Sequence, residues 1–306
     1  MKITSLSINN FRGLRSLTLP TLGSMVLVSG APASGKTSLL QSIAWTLGKA
    51  TRAIRPTMNL QWPGLYPASI DRSARVNVDV KFTPEEIKAT QDLFNQWVEV
   101  TKQAPPSGPS ECQHISLHMS PEKVVAEEGK EAFFQFFGRF YIRQLIQNRA
   151  KSVRWFNEVG DVFWMHREYV FQNAQAMARK ALARKDVRDV CDVINAVLPD
   201  LEFDGYDNGE DAENPLVFFR KPNAGNVRLE LSELSDSERY VISLLGFCMR
   251  MHTGNSVVLI DDIDQHMDEE LCLSVISTLQ KTFPDTQFIA SCRYIPEAYE
   301  GEAVEL

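Results

Sequence analysis

Polar and apolar residues alternate along KITSLSINNF near the start of the chain, with Ile3, Leu6 and Ile8 among the apolar positions, and a period of two predicts a β-strand. SMVLVSG at 24–30 is a short apolar run of the kind that fills a strand buried on both faces. In SLLQSIAWTLG the apolar residues recur at 39, 40, 43, 44 and 47, which is helical spacing closed by Gly48. RVNVDVKF alternates again, with Val76, Val78 and Val80 on one face, and APPSGPS at 104–110 reads as a turn-rich linker. From 122 to 197 the pattern is mainly helical, interrupted near Ser152 and Gly160, and predicts an inserted helical subdomain. Beyond the acidic loop DNGEDAE, PLVFFRK and NVRLEL read as strands, and Ser256–Ala290 as strand, helix, strand. The chain therefore divides into 1–83, an insertion at 84–200, and 201–306. No internal repeat and no sustained heptad pattern is present.

Composition narrows the class. The 306 residues are 44% apolar, enough for one large domain or one domain carrying an insertion. No apolar run approaches the roughly 18 residues that span a bilayer, and the opening alternation lacks the unbroken stretch of a signal peptide. A soluble, cytoplasmic protein with no membrane association is expected. The cysteines at 112, 191, 248, 272 and 292 form no C-x-x-C pair, so reduced thiols are expected rather than a disulfide framework or a zinc knuckle. His114 and His118 have metal-like spacing, but HISLHM alternates as a strand would, leaving both outside, and no zinc is expected. The net charge is -7, yet residues 139–188 hold 11 Lys/Arg against 4 Asp/Glu, a local excess of +7. Such a segment reads first as a solvated helix face balanced by acidic neighbours, and otherwise as a docking surface for an acidic protein partner or nucleic acid. The overall negative charge and the apolar positions Val153, Trp155, Phe156, Val162, Phe163 and Trp164 among the basic ones favour the protein.

The chemistry is concentrated in Gly30-Ala31-Pro32-Ala33-Ser34-Gly35-Lys36-Thr37-Ser38, which fits G-x-x-x-x-G-K-[ST] between a strand and a helix. In such a loop backbone N–H groups wrap phosphates and the helix N-terminus adds its dipole. Lys36 reaches the β- and γ-phosphates, and Thr37 ligates Mg²⁺. NSVVLIDD places Asp261 and Asp262 directly after an apolar strand, where one carboxylate holds Mg²⁺ and the next positions water. Between these motifs, Ser235 and Glu238 in LSDSERYVISLLGF form a capping box at the start of an amphipathic helix.

Leu234-Ser235-Asp236-Ser237-Glu238-Arg239, read with the two motifs around it, resembles the L-S-x-G-E signature of ABC-type ATPases in the SMC/RecF/OLD group, with Ser237 in place of glycine. The resemblance implies an α/β P-loop NTPase head of ABC type with an inserted, mainly helical subdomain. The two ends of the chain would form the head, with 1–83 carrying the phosphate loop and 201–306 the signature and the aspartates. It further implies that Ser235, Ser237 and Glu238 of one protomer face the nucleotide bound by another. By the same resemblance Arg12, in NNFRG, lies near the nucleotide, and Gln144, in FYIRQLIQ, senses Mg²⁺ and the γ-phosphate. His266 falls where the group bridges protomers and is a candidate to polarise water.

Three departures bear on rate. Asp262 stands where a longer glutamate is usual, Ser237 replaces the signature glycine, and Ser291-Cys292-Arg293 replace the switch histidine. Slow hydrolysis is the resulting expectation, with a non-hydrolysing, nucleotide-gated scaffold as the alternative. The resemblance implies an ATP-dependent head-to-head homodimer or higher oligomer, a separate effector protein, and a role in DNA maintenance such as repair, or in antiviral defence.

Overall fold

Ile3, Leu6 and Ile8 are all buried on one side of strand β1 (Lys2–Phe11). The odd step from 3 to 6 is absorbed by a register irregularity between Ile3 and Ser5, which returns both apolar side chains to the same face. A computed structural model describes residues 1–51, 74–85, 87–88, 112–119, 124–125, 162–165, 174–184, 187–208, 215–251 and 256–306.

β1 forms a hairpin with β2 (Leu14–Leu19), after which β3 (Met25–Ser29) enters a different sheet and leads into helix α1 (Lys36–Thr51). The chain returns to the first sheet in β4 (Ala74–Lys81), β5 (Cys112–Met119) and β6 (Val124–Val125), completing the antiparallel order β2-β1-β4-β5-β6. HISLHM lies within β5 as its alternation predicts, and His114 is exposed and paired with Asp79 at 2.7 Å. Then follow β7 (Val162–Met165), α2 (Gln175–Leu182), α3 (Arg188–Asn195), and the antiparallel sheet of β8 (Glu202–Asp207), β9 (Leu216–Lys221) and β10 (Val227–Glu230). The last elements are α4 (Asp236–Met251), β11 (Val257–Ile260), α5 (Glu269–Thr282), β12 (Gln287–Ser291) and β13 (Glu302–Glu305).

The second sheet is wholly parallel, in the order β13-β3-β12-β11-β7. Its central strands β3, β11 and β12 are buried along their whole length and largely apolar, because both faces are covered. Val26, Val28, Val257, Leu259 and Ile289 join Leu39, Leu40, Ile43, Ala44 and Leu47 of α1, which lies between the two large sheets. The alternate residues Met25, Leu27, Val258, Ile260, Phe288 and Ala290 pack with Tyr240, Val241, Leu244 and Leu245 of α4 and with α5.

Among the described residues the helical reading of 122–197 holds at α2 and α3 and fails at Val124–Val125, which pairs with β5, and at Val162–Met165, a parallel strand against β11. Val162, Phe163 and Trp164 thus have their backbones in the central sheet, although they were expected among the apolar positions of a docking surface. A short aromatic and β-branched run has no period of its own, and β11 decides its conformation from a distance. Within 84–200 the described residues include strands β5, β6 and β7 as well as helices α2 and α3.

Candidate functional site

In a parallel sheet every strand ends on the same edge, and ligands bind beyond the carboxyl ends of the strands. Here β3 ends at the loop 30–35, β11 at Asp261-Asp262 and β12 at Ser291. Three distant parts of the sequence converge through the pairing of β12 with β3 on one side and β11 on the other.

The loop has the backbone that its glycines predict. Gly30 has φ 144°, and a Cβ there would stand 2.4 Å from the carbonyl oxygen of Leu306. Gly35 has φ 109° and would drive a Cβ to 2.7 Å from Leu14. Ala33, between them, also adopts a left-handed φ of 63°, and the Ser34 N–H closes the turn onto Ala31 O at 3.1 Å. Lys36 Nζ folds back over this turn, donating to Gly30 O at 2.7 Å and Ala31 O at 3.2 Å. Ser34 Oγ is buried with no hydrogen-bond partner. Pro32 is exposed, and Ser38 continues the first turn of α1.

Asp261 is 1% exposed, a burial that a carboxylate tolerates only when its oxygens are satisfied. Thr37 Oγ1 lies 3.0 and 3.2 Å from its two oxygens, and Ser291 Oγ donates to Oδ1 at 2.7 Å. The Walker-type lysine loop and the strand-end aspartate are thereby joined across 224 residues of sequence. Asp262 follows in the left-handed region at φ 53°, a conformation that aspartate adopts more readily than glutamate. Its N–H donates to Ser291 Oγ at 2.8 Å, and its carbonyl accepts from Tyr240 Oη at 3.2 Å and from the Gln265 N–H at 3.0 Å.

Arg293, expected near this edge as part of the replacement for a histidine, is committed elsewhere. Its backbone N–H and Nε both bond Asp264 Oδ2, at 2.9 and 3.1 Å, and Nη2 bonds Asp264 O at 2.8 Å. The neighbouring Cys292 is buried, and desolvation with the charge of Asp264 pushes its thiol up to about 12, so it is neutral and unreactive near pH 7. His266 is exposed with φ 61°, at the far end of the turn that begins at Asp262. An open cleft of about 440 Å³ adjoins the loop, lined by Gly30, Ala31, Pro32, Arg293, Tyr294 and Glu305 among others.

The capping box at Ser235 forms as read. The Ser235 N–H donates to Glu238 Oε2 at 2.9 Å, and the Glu238 N–H reaches Ser235 Oγ at 3.4 Å. Lys221 Nζ pairs with the same carboxylate at 2.8 Å. Burial would raise the Glu238 pKa, but the hydrogen bonds from Lys221 and Ser235 outweigh it and hold the carboxyl below its ordinary value. Ser235 and Asp236 are exposed and Ser237 half-buried, so the start of α4 is a surface. Arg12 occupies the left-handed turn of the first hairpin with φ 50°, bonded to Gln41 of α1, and burial lowers its pKa. Gln144 lies outside the described residues. Arg179, within the basic stretch, is paired with Glu230 and bonds Pro215 O at 3.2 Å. In the sequence Ser291 is only one of three residues standing in place of the switch histidine, with no role of its own, and Tyr240 carries no motif signal.

A sequence profile described as the RecF/RecN/SMC N terminal domain matches residues 2–294. A probable ATPase of retron Ec83 from Escherichia coli is 30% identical over 118 residues, 35% of this chain and 20% of that protein. The chain thus spans about a fifth of the length of that curated relative. Among solved structures, an SMC head bound to the C-terminal winged-helix domain of ScpA matches with a TM-score of 0.56 at 16% identity, over 96% of this chain and 90% of that one. The SMC head domain of Thermotoga maritima matches with a TM-score of 0.51 at 14% identity, over 96% and 90% of the two chains. An SMC head from Pyrococcus furiosus, bound to the C-terminal domain of ScpA, gives 0.51 at 13%, over 95% and 89%.

Proposed function

The chain belongs to the family of RecF/RecN/SMC N-terminal domains, an ABC-type ATPase head, and from that premise we propose that it binds ATP with Mg²⁺, hydrolyses it slowly, and closes head to head with a second copy around the nucleotide. The observation that carries this reading is the meeting of Thr37 and Asp261 beside the Lys36 loop. Adjacent oxygen ligands of an octahedral Mg²⁺ at 2.0–2.1 Å lie ~3 Å apart, which is the spacing of the Thr37 and Asp261 oxygens. Among the described residues no group of three or more His, Cys, Asp or Glu could hold a metal. Thr37 and Asp261 offer a hydroxyl and a carboxylate beside the loop that would take the substrate phosphates, the mode that suits Mg²⁺. When bound, Mg²⁺ would neutralise charge on the phosphates.

The chain's own groups do the rest. Backbone N–H groups of 33–38 and the N-terminus of α1 bind the phosphates, and Lys36 exchanges its two loop carbonyls for phosphate oxygens. Thr37 and Asp261 hold the cation, while Asp262 orients the attacking water and accepts its proton. Arg12 is placed for the nucleotide by its bond to Gln41 on the same helix that the loop begins. The exposed start of α4, with Ser235, Ser237 and Glu238, faces the nucleotide of the second copy.

Closure of two heads is the event that would control a separate effector protein. The likeness to a retron ATPase supports a defence role over DNA repair. An SMC head that carries a ScpA domain supports a docked protein partner. The charge of -7 does not favour DNA. Phosphate release by the purified chain tests the hydrolytic reading: Mg²⁺-dependent turnover lost in Asp262→Asn supports it, and ATP binding without release refutes it. One observation favours a nucleotide-gated scaffold instead: Arg293 is tied to Asp264 and Cys292 is a buried neutral thiol, so neither replaces the switch histidine. The same assay separates the two.

A further inference from the structure

We propose that Tyr240 and Ser291 are positioning residues that clamp the two ends of the Asp262 residue, and that Tyr240 thereby joins the dimer-facing helix to the hydrolytic turn. This rests on the reading of Asp262 as the group that orients water. Left-handed backbone at a non-glycine residue persists when its surroundings over-determine it. At Asp262 they do. Ser291 Oγ takes the N–H at 2.8 Å from the end of β12, and Tyr240 Oη donates to the carbonyl at 3.2 Å from α4.

Ser291 serves both aspartates with one hydroxyl. Its proton goes to Asp261 Oδ1 at 2.7 Å, and its oxygen accepts from Asp262 N–H, so the cation-holding and water-orienting groups keep a fixed relation. Tyr240 is wholly buried, and a phenylalanine would fill the same space in the core. What the hydroxyl adds is the bond to Asp262. Burial, reinforced by the charges of Asp261, Asp262 and Asp264, raises its pKa well above the ordinary value, so it remains a donor near neutral pH. Tyr240 lies two residues past Glu238, about half a turn beyond the exposed capping box. A displacement of that helix start by a second copy is delivered through a rigid ring to the carbonyl of Asp262.

The test compares Tyr240→Phe, Ser291→Ala and Ser291→Thr with the wild-type chain for ATP affinity, ATP-dependent dimerisation and steady-state turnover. Tyr240→Phe and Ser291→Ala are expected to lower kcat by roughly 10- to 100-fold, the scale of a misplaced reacting group, with ATP affinity and dimerisation retained. Ser291→Thr, which keeps the hydroxyl, should restore turnover. The double variant should lose less than the product of the single effects, because both act on one peptide. Wild-type kcat in Tyr240→Phe overturns the proposal, as does a loss that tracks falling ATP affinity and thermal stability. A wild-type chain that binds ATP but releases no phosphate overturns the hydrolytic reading and the clamp together, whereas normal turnover in both variants overturns the clamp alone.

Discussion

Replacing Gln287 with leucine should separate the two large sheets at one edge. β2 pairs with β1 only from Leu6↔Leu19 onward, so Ile3 lies beyond the end of its hairpin partner. The wholly buried Gln287, first residue of β12, takes that place with its carboxamide. Oε1 accepts the Ile3 N–H at 2.7 Å, and Nε2 donates to Ile3 O and to Gly23 O, each at 2.8 Å. Leucine fills a similar volume but leaves these three backbone groups without that partner. At about 1–3 kcal/mol for each buried polar group abandoned, and with partial rehydration at the sheet edge, the loss is about 3–5 kcal/mol. For a domain of this size that corresponds to a fall in Tm on the order of 10 °C. Differential scanning calorimetry reads the shift, and hydrogen exchange of the N-terminal peptide should show the Ile3 amide released early. A shift of less than about 2 °C with Ile3 still protected would refute the reasoning, because the sheets would then be held by apolar packing alone.

Lys36→Ala should weaken ATP binding by roughly 10- to 100-fold in a folded protein, since the ammonium contacts loop carbonyls and no core residue; calorimetric titration checks it. Ser235→Arg, which places bulk and charge on the exposed start of α4, should abolish ATP-dependent dimers in mass photometry while leaving the monomer's ATP affinity intact. Arg179→Glu should lower stability by about 2–4 kcal/mol in urea unfolding, because its side chain is 12% exposed and paired with Glu230. The depressed Glu238 carboxyl stabilises the fold above the unfolded glutamate value of ~4.3, and that contribution is lost as pH falls through the folded value. Glu238→Gln should flatten that part of the acid-unfolding profile, measured by circular dichroism.

Elements whose pattern is local were legible in the sequence. The alternation of β1 and β4, the helical spacing of α1 and the capping box of α4 each recur in the structure at the residues that announce them. The phosphate loop was legible because its glycines answer to backbone constraints at Gly30 and Gly35 that no other residue meets. What depends on distant partners was not. VFWM becomes a strand because β11 is there to pair with it, and nothing within four residues says so. Ser291 and Tyr240 gain their place at the site from convergence of β12 and α4 on the Asp261-Asp262 turn, a relation absent from any linear motif. An acidic neighbour balancing Arg179 of the basic stretch is one reading of the sequence, but that the neighbour is Glu230, 51 residues later, was not legible there.

The order of strands in the parallel sheet bears on how the protein is made. Among the described strands β3, which delivers the phosphate loop, pairs with β12 and β13, which come after every other strand of its sheet in the sequence. On a ribosome, Met25–Ser29 emerges well before the two strands it pairs with. Until they emerge this apolar segment is an unpaired strand, a ready template for wrong partners. The nucleotide site is therefore not assembled in chain order: a nascent chain halted before β12 has the phosphate-loop sequence without the sheet that shapes it.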